Sequence, residues 1–240
     1  MDGEAIEKIK NLVERGVTVE LPDGTYASSL FSKIEPTVHH PDTVEMTTLA
    51  SFVGFINDNP QRIDLEGAIV TVNPDFSVSL RSSPRIDGER DIFARAKSPI
   101  VPFRFANMES VEAFNISLLT LFKQDANLMN LFRTMQVIKV EDGTTIKDNG
   151  TSITVQVQRG VSNASLDTED IPSIVRLTPF RYFPECEQVE VPLLFRLRQS
   201  DTGAVYAMLL ECDGGAWKVT AYQVISRKLK ELGCQLPIYC

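Results

Sequence analysis

The chain has 240 residues, 43% hydrophobic and 23% charged, with a formal net charge of -8. That composition describes an ordinary globular protein with enough apolar material for a core that needs no metal or disulfide. It argues against a duplex DNA binder, which draws affinity from a basic surface, and no apolar run approaches the roughly 18–20 residues that cross a bilayer.

The start, Met1-Asp2-Gly3-Glu4-Ala5, is acidic and lacks the basic head and apolar stretch of a signal peptide. The expectation is a cytoplasmic protein. Ile6, Ile9, Leu12 and Val13 at helical spacing predict a helix over 4–15, ended by Gly16. Val17 to Leu21 alternates as a strand and stops at Pro22-Asp23-Gly24. Ala27 to Pro41 shows no period and is expected to be irregular. Val44-Glu45-Met46 predicts a short strand. Thr47 or Thr48 then caps a helix through Leu49, Phe52, Val53 and Ile56, and Asn57-Asp58-Asn59-Pro60 stops it.

A hairpin is expected from Ala68–Asn73 and Phe76–Leu80 around Asn73-Pro74-Asp75, with Phe76, Val78 and Leu80 on one face and Ser77 and Ser79 on the other. Residues 82–90 read as a loop and Asp91–Ala96 as a strand, after which Pro99 and Pro102 keep the chain extended. The strongest helical pattern runs from Glu109 to Met135. Val111, Phe114, Leu118 and Leu121 make one stripe. Leu128, Leu131, Phe132 and Met135 continue it beyond Lys123-Gln124-Asp125. This predicts two helices, or one kinked helix, with Asp125 as a second cap. Ile116 and Leu119 widen the apolar surface, so the element is expected to be buried on more than one side.

Gln136–Glu141 and Ser152–Gln158 are expected as a strand pair, with Ile153, Val155 and Val157 alternating. Gly160–Pro172 is acidic and reads as a surface loop, and Ile174–Leu177 as a strand. Val189, Val191, Leu193, Phe195 and Leu197 then fall on every second residue, with Glu190, Arg196 and Arg198 between them. A turn at Ser200-Asp201-Thr202-Gly203 leads to a second run, Ala204–Cys212. Asp213-Gly214-Gly215 and Trp217 follow, then a helix with Tyr222, Ile225, Leu229 and Leu232 ended by Gly233. Hairpins dominate over βαβ alternation. The expected class is α+β: a mainly antiparallel sheet with β-hairpins and a C-terminal meander, packed by about four to five helices. The chain reads as one domain, 1–240, with a candidate internal boundary in the acidic stretch near 160–172.

The residues offer little chemistry. His39 and His40 are the only histidines. Alternation points them apart, so a metal site with Asp42 would need a turn and a further ligand, and polar surface residues are the plainer reading. Glu185, Glu187 and Glu190 cluster near Cys186, and Asp167, Glu169 and Asp170 cluster in the acidic stretch. Two-metal nucleases use such carboxylates, but no Lys or His accompanies them at a recognisable spacing, and solvated acidic faces are expected. There is no nucleophile elbow and no phosphate loop. Cys186, Cys212, Cys234 and Cys240 are scattered and read as reduced thiols, with a Cys234–Cys240 bridge as the alternative. No catalytic residue, metal or cofactor is assigned. The arginines are more suggestive. Arg104 lies between Phe103 and Phe105, Arg181 between Phe180 and Tyr182, and Arg196 and Arg198 share a strand face. Interleaved arginine and aromatic residues can make a platform for single-stranded nucleic acid. The same pattern fits strands with an inward Phe and an outward Arg, with Glu211 pairing across to Arg196 or Arg198.

Several blocks resemble the YfdQ-like family of phage and prophage proteins. These are Thr48-Leu49-Ala50-Ser51-Phe52-Val53 with Phe55-Ile56-Asn57, then Ser98-Pro99 before Phe103-Arg104-Phe105 and the Val111–Phe122 helix. The last is Pro179-Phe180-Arg181 with Phe183, Glu185, Val189 and Glu190, followed by Phe195-Arg196-Leu197. The resemblance covers roughly residues 45–232 and implies a gene of a temperate phage acting in the cytoplasm of a bacterial host. It implies no reaction. The function expected is a non-enzymatic accessory protein that self-assembles as a homo-oligomer, with Leu236, Ile238 and Tyr239 of the apolar C-terminal stretch docking on a neighbour. One alternative is a single-stranded nucleic-acid-binding factor of phage replication or recombination, using Arg104, Arg181, Arg196 and Arg198. A second is a metal-dependent hydrolase or nuclease.

Overall fold

The computed structural model describes residues 18–21, 24–27, 32–34, 42–86, 88–138, 145–148, 152–157, 166–201 and 203–240. The chain divides into two compact units, Met1–Pro41 and Asp42–Cys240. In the first, β1 (Thr18–Leu21), β2 (Gly24–Ala27) and β3 (Ser32–Ile34) form an antiparallel sheet in that order. β3 lies inside the segment expected to be irregular; too short to show a period, it is held by its ladder to β2. The helix expected over 4–15 falls outside the described residues.

The second unit begins with β4 (Val44–Met46), α1 (Leu49–Asp58), β5 (Ile69–Val72), β6 (Val78–Arg81) and β7 (Ile92–Ala96). It continues through β8 (Glu109–Ser110), α2 (Val111–Leu121), α3 (Ala126–Ile138), β9 (Thr145–Asp148), β10 (Ser152–Val157) and β11 (Leu166–Pro172). It ends with β12 (Ile174–Leu177), β13 (Val191–Gln199), β14 (Val205–Glu211), α4 (Trp217–Glu231) and β15 (Ile238–Tyr239). One sheet has the order β15-β5-β6-β7-β4, a second β12-β13-β14-β8, and a third β11-β10-β9. Pairing is antiparallel except where β4 joins β7 and β15 joins β5. The class is α+β, with four helices among the described residues and a meander from β12 to β14.

Local chemistry sets the helix ends. Thr48 is extended, and its Oγ1 accepts from the Ser51 N–H at 3.1 Å, which makes it the N-cap of α1. Asn59 takes a left-handed φ of 41° and ends that helix through its N–H on Phe55 O. Asp125 Oδ1 accepts from the Leu128 N–H at 2.9 Å, so the long apolar pattern does form two helices. A tertiary contact enforces the break: Phe122 is extended and bridges to Pro179, while Lys123 N–H donates to Thr178 O.

The core joins both larger sheets. α1 buries Leu49, Phe52, Val53 and Ile56 and packs against α4 and β7. β13 buries Val191, Leu193, Phe195 and Leu197, the alternation its sequence shows. Fully burying each such side chain stabilises by roughly 1.5–3 kcal/mol.

Two expectations are corrected. The pattern expected as a strand over Gln136–Glu141 instead continues α3 to Ile138, and the partner of β10 is β9. Hydrophobic residues in a short run fit either period. The acidic stretch expected as a loop contains β11, which pairs with β10; backbone pairing needs no apolar side chains. The face that carries Ser77 and Ser79, opposite Val78 and Leu80, is covered as well, and the two serines are 3% and 0% exposed. Asn73 Nδ2 donates to both hydroxyls, at 2.9 and 2.8 Å, which satisfies groups the pattern alone would leave in water.

Candidate functional site

The most concentrated chemistry lies around Arg181, in the segment that leaves β12. That segment is folded by its own polar groups. Gln188 Oε1 accepts from the Arg181 N–H at 3.0 Å, and Gln188 Nε2 donates to Phe183 O and Cys186 O at 3.1 and 3.2 Å. Tyr182 Oη donates to Glu187 O at 2.6 Å. The turn pulls Arg181 inward, and its side chain is only 5% exposed.

The guanidinium lies 3.9 Å from the Trp217 ring centroid and 4.7 Å from that of Phe105. Nη1 sits 2.8 Å from Glu211 Oε1. That is an ion-pair distance, but the N–H does not align for a good hydrogen bond, and Nε and Nη2 have no hydrogen-bond partner. Burial lowers the Arg181 pKa, and the carboxylates of Glu211 and Asp213 partly oppose the shift. Trp217 is placed by the start of α4. Gly214 and Gly215 take φ of 64° and 84°, conformations that favour glycine. They let Asp213 accept from the Gly215 and Trp217 N–H groups at 3.0 and 3.1 Å. Phe76 completes the cluster, 5.2 Å from Trp217 and 5.9 Å from Tyr182. An arginine keeps its proton throughout the physiological range, so this cluster clamps segments together and moves no proton.

The carboxylates near Cys186 do separate tasks. Glu185 accepts from the Leu49 and Ala50 N–H groups at 2.8 and 3.0 Å, holding the N-terminus of α1. Glu190 lies 3.6 Å from Arg176. Burial pushes the Cys186 thiol up to about 12, so it is a poor nucleophile. All four cysteines are free. His39 and His40 and the side chains of Asp167, Glu169 and Asp170 lie outside the described residues, and Asp42 is exposed. Among the described residues no three His, Cys, Asp or Glu side chains converge as metal ligands, and no helix is long and apolar enough to cross a membrane.

The four arginines are not brought into one surface row. Arg181 is buried, while Arg104 and Arg198 are exposed and Arg196 half-buried. The expected pairing of Glu211 is corrected. Its register partner is Leu193, Arg196 stands opposite Met208 and Arg198 opposite Tyr206, and the Glu211 carboxylate goes to Arg181. Leu236 and Ile238 pack against the chain's own core, and β15 pairs with β5, so of the C-terminal candidates only Tyr239 is exposed, by 58%. Sequence reasoning missed the outer stripe of α4, where Val219, Gln223, Arg227 and Lys230 share one side. Their helical spacing was the available signal.

Compared with family models, with curated proteins and with solved structures, the chain matches none.

Proposed function

We propose that this is a phage- or prophage-encoded accessory protein that works as a symmetric homo-oligomer in the bacterial cytoplasm, without bond-breaking chemistry of its own. The blocks resembling the YfdQ-like proteins support the phage setting. Helix α2 carries the case for self-assembly. Its sequence, Val-Glu-Ala-Phe-Asn-Ile-Ser-Leu-Leu-Thr-Leu, is apolar on more than one side. One side is used within the chain, where Val111, Phe114 and Leu118 are buried. On the other, Ile116 is 58% exposed and Ala113 and Thr120 are open beside it. A helix of this composition is normally covered on both sides. A second copy covers it economically, since a two-fold contact sets Ile116 against the same patch of its partner. The test is mass by light scattering: a multiple of 26.8 kDa is expected, falling toward one chain in Ile116→Glu. A wild-type mass of a single chain removes the proposal.

A second reading, single-stranded nucleic-acid binding, rests on the exposed Arg104 and on Arg198 opposite Tyr206 across the β13–β14 ladder. It requires salt-sensitive binding of oligothymidylate, and no binding at low salt disposes of it.

A further inference from the structure

Helix α4 buries Trp217, Ala221, Ile225 and Leu229. A helix that buries one stripe presents the other, and here the outward stripe includes Val219, 61% exposed, with Gln223, Arg227 and Lys230. At the edge of this stripe Ser226 Oγ and Cys240 Sγ lie 2.9 Å apart, and Cys240 Sγ is 3.8 Å from Tyr222 O. Between the helix and the end of the chain these side chains line a groove of about 520 Å³.

Cys240 follows directly on β15, the outermost strand of its sheet. β15 pairs with β5 on one side only among the described residues. Val70 N–H donates to Pro237 O at 2.9 Å. Bonding direction alternates along a strand, so the N–H and C=O of Ile238 point away from β5, toward the open side. Among the described residues this edge is unpaired at Ile238, which offers one more strand a backbone donor and an acceptor.

The groove also carries positive charge at Arg227 and Lys230. Arg227 and Lys230 have no acidic partner at ion-pair distance among the described residues, whereas Lys228 between them reaches Glu231 at 3.7 Å. On a chain of net charge -8, two unpaired cations at one groove favour an anionic visitor. Size agrees. Val219 and Lys230 lie about 16 Å apart along the helix axis at ~1.5 Å per residue, a distance that about five residues of extended chain span.

We propose that the groove between α4 and Cys240 takes an extended acidic peptide segment of a partner protein, added as a strand to the open edge of β15, the strand that Cys240 directly follows. Its backbone pairs with Ile238. Alternate side chains enter the groove, an apolar one against Val219 and Tyr222 and a carboxylate at Arg227 and Lys230. The ladder is short, so the side-chain contacts set the affinity and the charges set the selection.

The test uses the full chain and a fluorescein-labelled octapeptide alternating glutamate and valine, read by anisotropy at low salt, with amide NMR shifts to locate it. Binding is expected, with shifts at Val219–Lys230 and Ile238–Cys240. It should weaken at least tenfold in Arg227→Glu/Lys230→Glu, two exposed positions whose change leaves the core intact. It should also weaken at least tenfold when alternate peptide nitrogens are methylated, which tests strand addition with the protein untouched. Absence of binding, equal binding of a lysine–valine peptide, full binding of the methylated peptide, or full binding to the double variant overturns the proposal. Displacement of the peptide by a short oligothymidylate at equal or lower concentration also overturns it, since the groove would then select polyanions rather than a strand.

Discussion

Arg181→Ala and Arg181→Met should part company. The Arg181 side chain is 5% exposed, and burial lowers its pKa despite the attraction of Glu211 and Asp213. The charge is therefore held at a net electrostatic disadvantage, offset by stacking on Trp217 at 3.9 Å and Phe105 at 4.7 Å. A desolvated cation over an aromatic ring is worth about 2 kcal/mol. Alanine removes the stacking and the packing of the stem, and strips Glu211 of its partner. The Glu211 side chain is 34% exposed, so water takes up part of the orphaned charge. The loss then falls at the low end for a broken buried pair, about 3 kcal/mol. Methionine leaves Glu211 without a partner just as alanine does, but it keeps the volume and the contact with both rings and carries no desolvated charge, so it should lose about 1–2 kcal/mol less than alanine. Urea unfolding reads both. Trp217, the one tryptophan of the chain, reports by fluorescence, and its agreement with circular dichroism establishes the two-state treatment. If methionine destabilises as much as alanine, the charge itself stabilises the fold and the reasoning is refuted.

Two further outcomes follow from polar contacts. Glu185→Ala removes the acceptor of the Leu49 and Ala50 N–H groups and should lower stability by about 1–2 kcal/mol, with Glu185→Gln intermediate; an unchanged melting temperature in the alanine variant counts against this role. Asp75 has its pKa lowered below 3.8, chiefly because the Ser77 hydroxyl donates to it, against a smaller opposing effect of burial. A carboxylate with a depressed folded pKa contributes stability above its unfolded pKa and loses it as pH falls through the folded value. Asp75→Asn should therefore be less stable than wild type near neutrality, with the gap closing below about pH 4; a gap that stays constant down to pH 2 would show that the charged form is not what Ser77 holds.

The site was legible in pieces. Arg181 flanked by aromatic residues stood out in the sequence, but its aromatic partners in space are Phe105 and Trp217, far from it along the chain. Neither could be named beforehand, because the cluster exists only where the segment after β12 meets the start of α4. Glu211 was correctly singled out as a partner for arginine and given the wrong one. The turn between β13 and β14 sets the register, and that register places Leu193, not Arg196 or Arg198, opposite it. The Glu185 group looked like a cluster in one dimension, and the fold sends its members to a helix end and a surface ion pair.

By itself, the sequence determined each element whose burial is one-sided. Period two fixed β13, the residues at Leu49, Phe52, Val53 and Ile56 fixed α1, and Thr47 or Thr48 and Asp125 marked helix starts, because these features depend on neighbours a few residues away. The tertiary structure alone decided how distant segments meet. It made β11 a strand through its ladder with β10, buried Ser77 and Ser79 by giving them Asn73, and set the C-terminal residues beside β5. The physical reason is that periodicity records which side of an element avoids water, whereas register, edge pairing and ion-pair choice depend on the geometry of two surfaces at once.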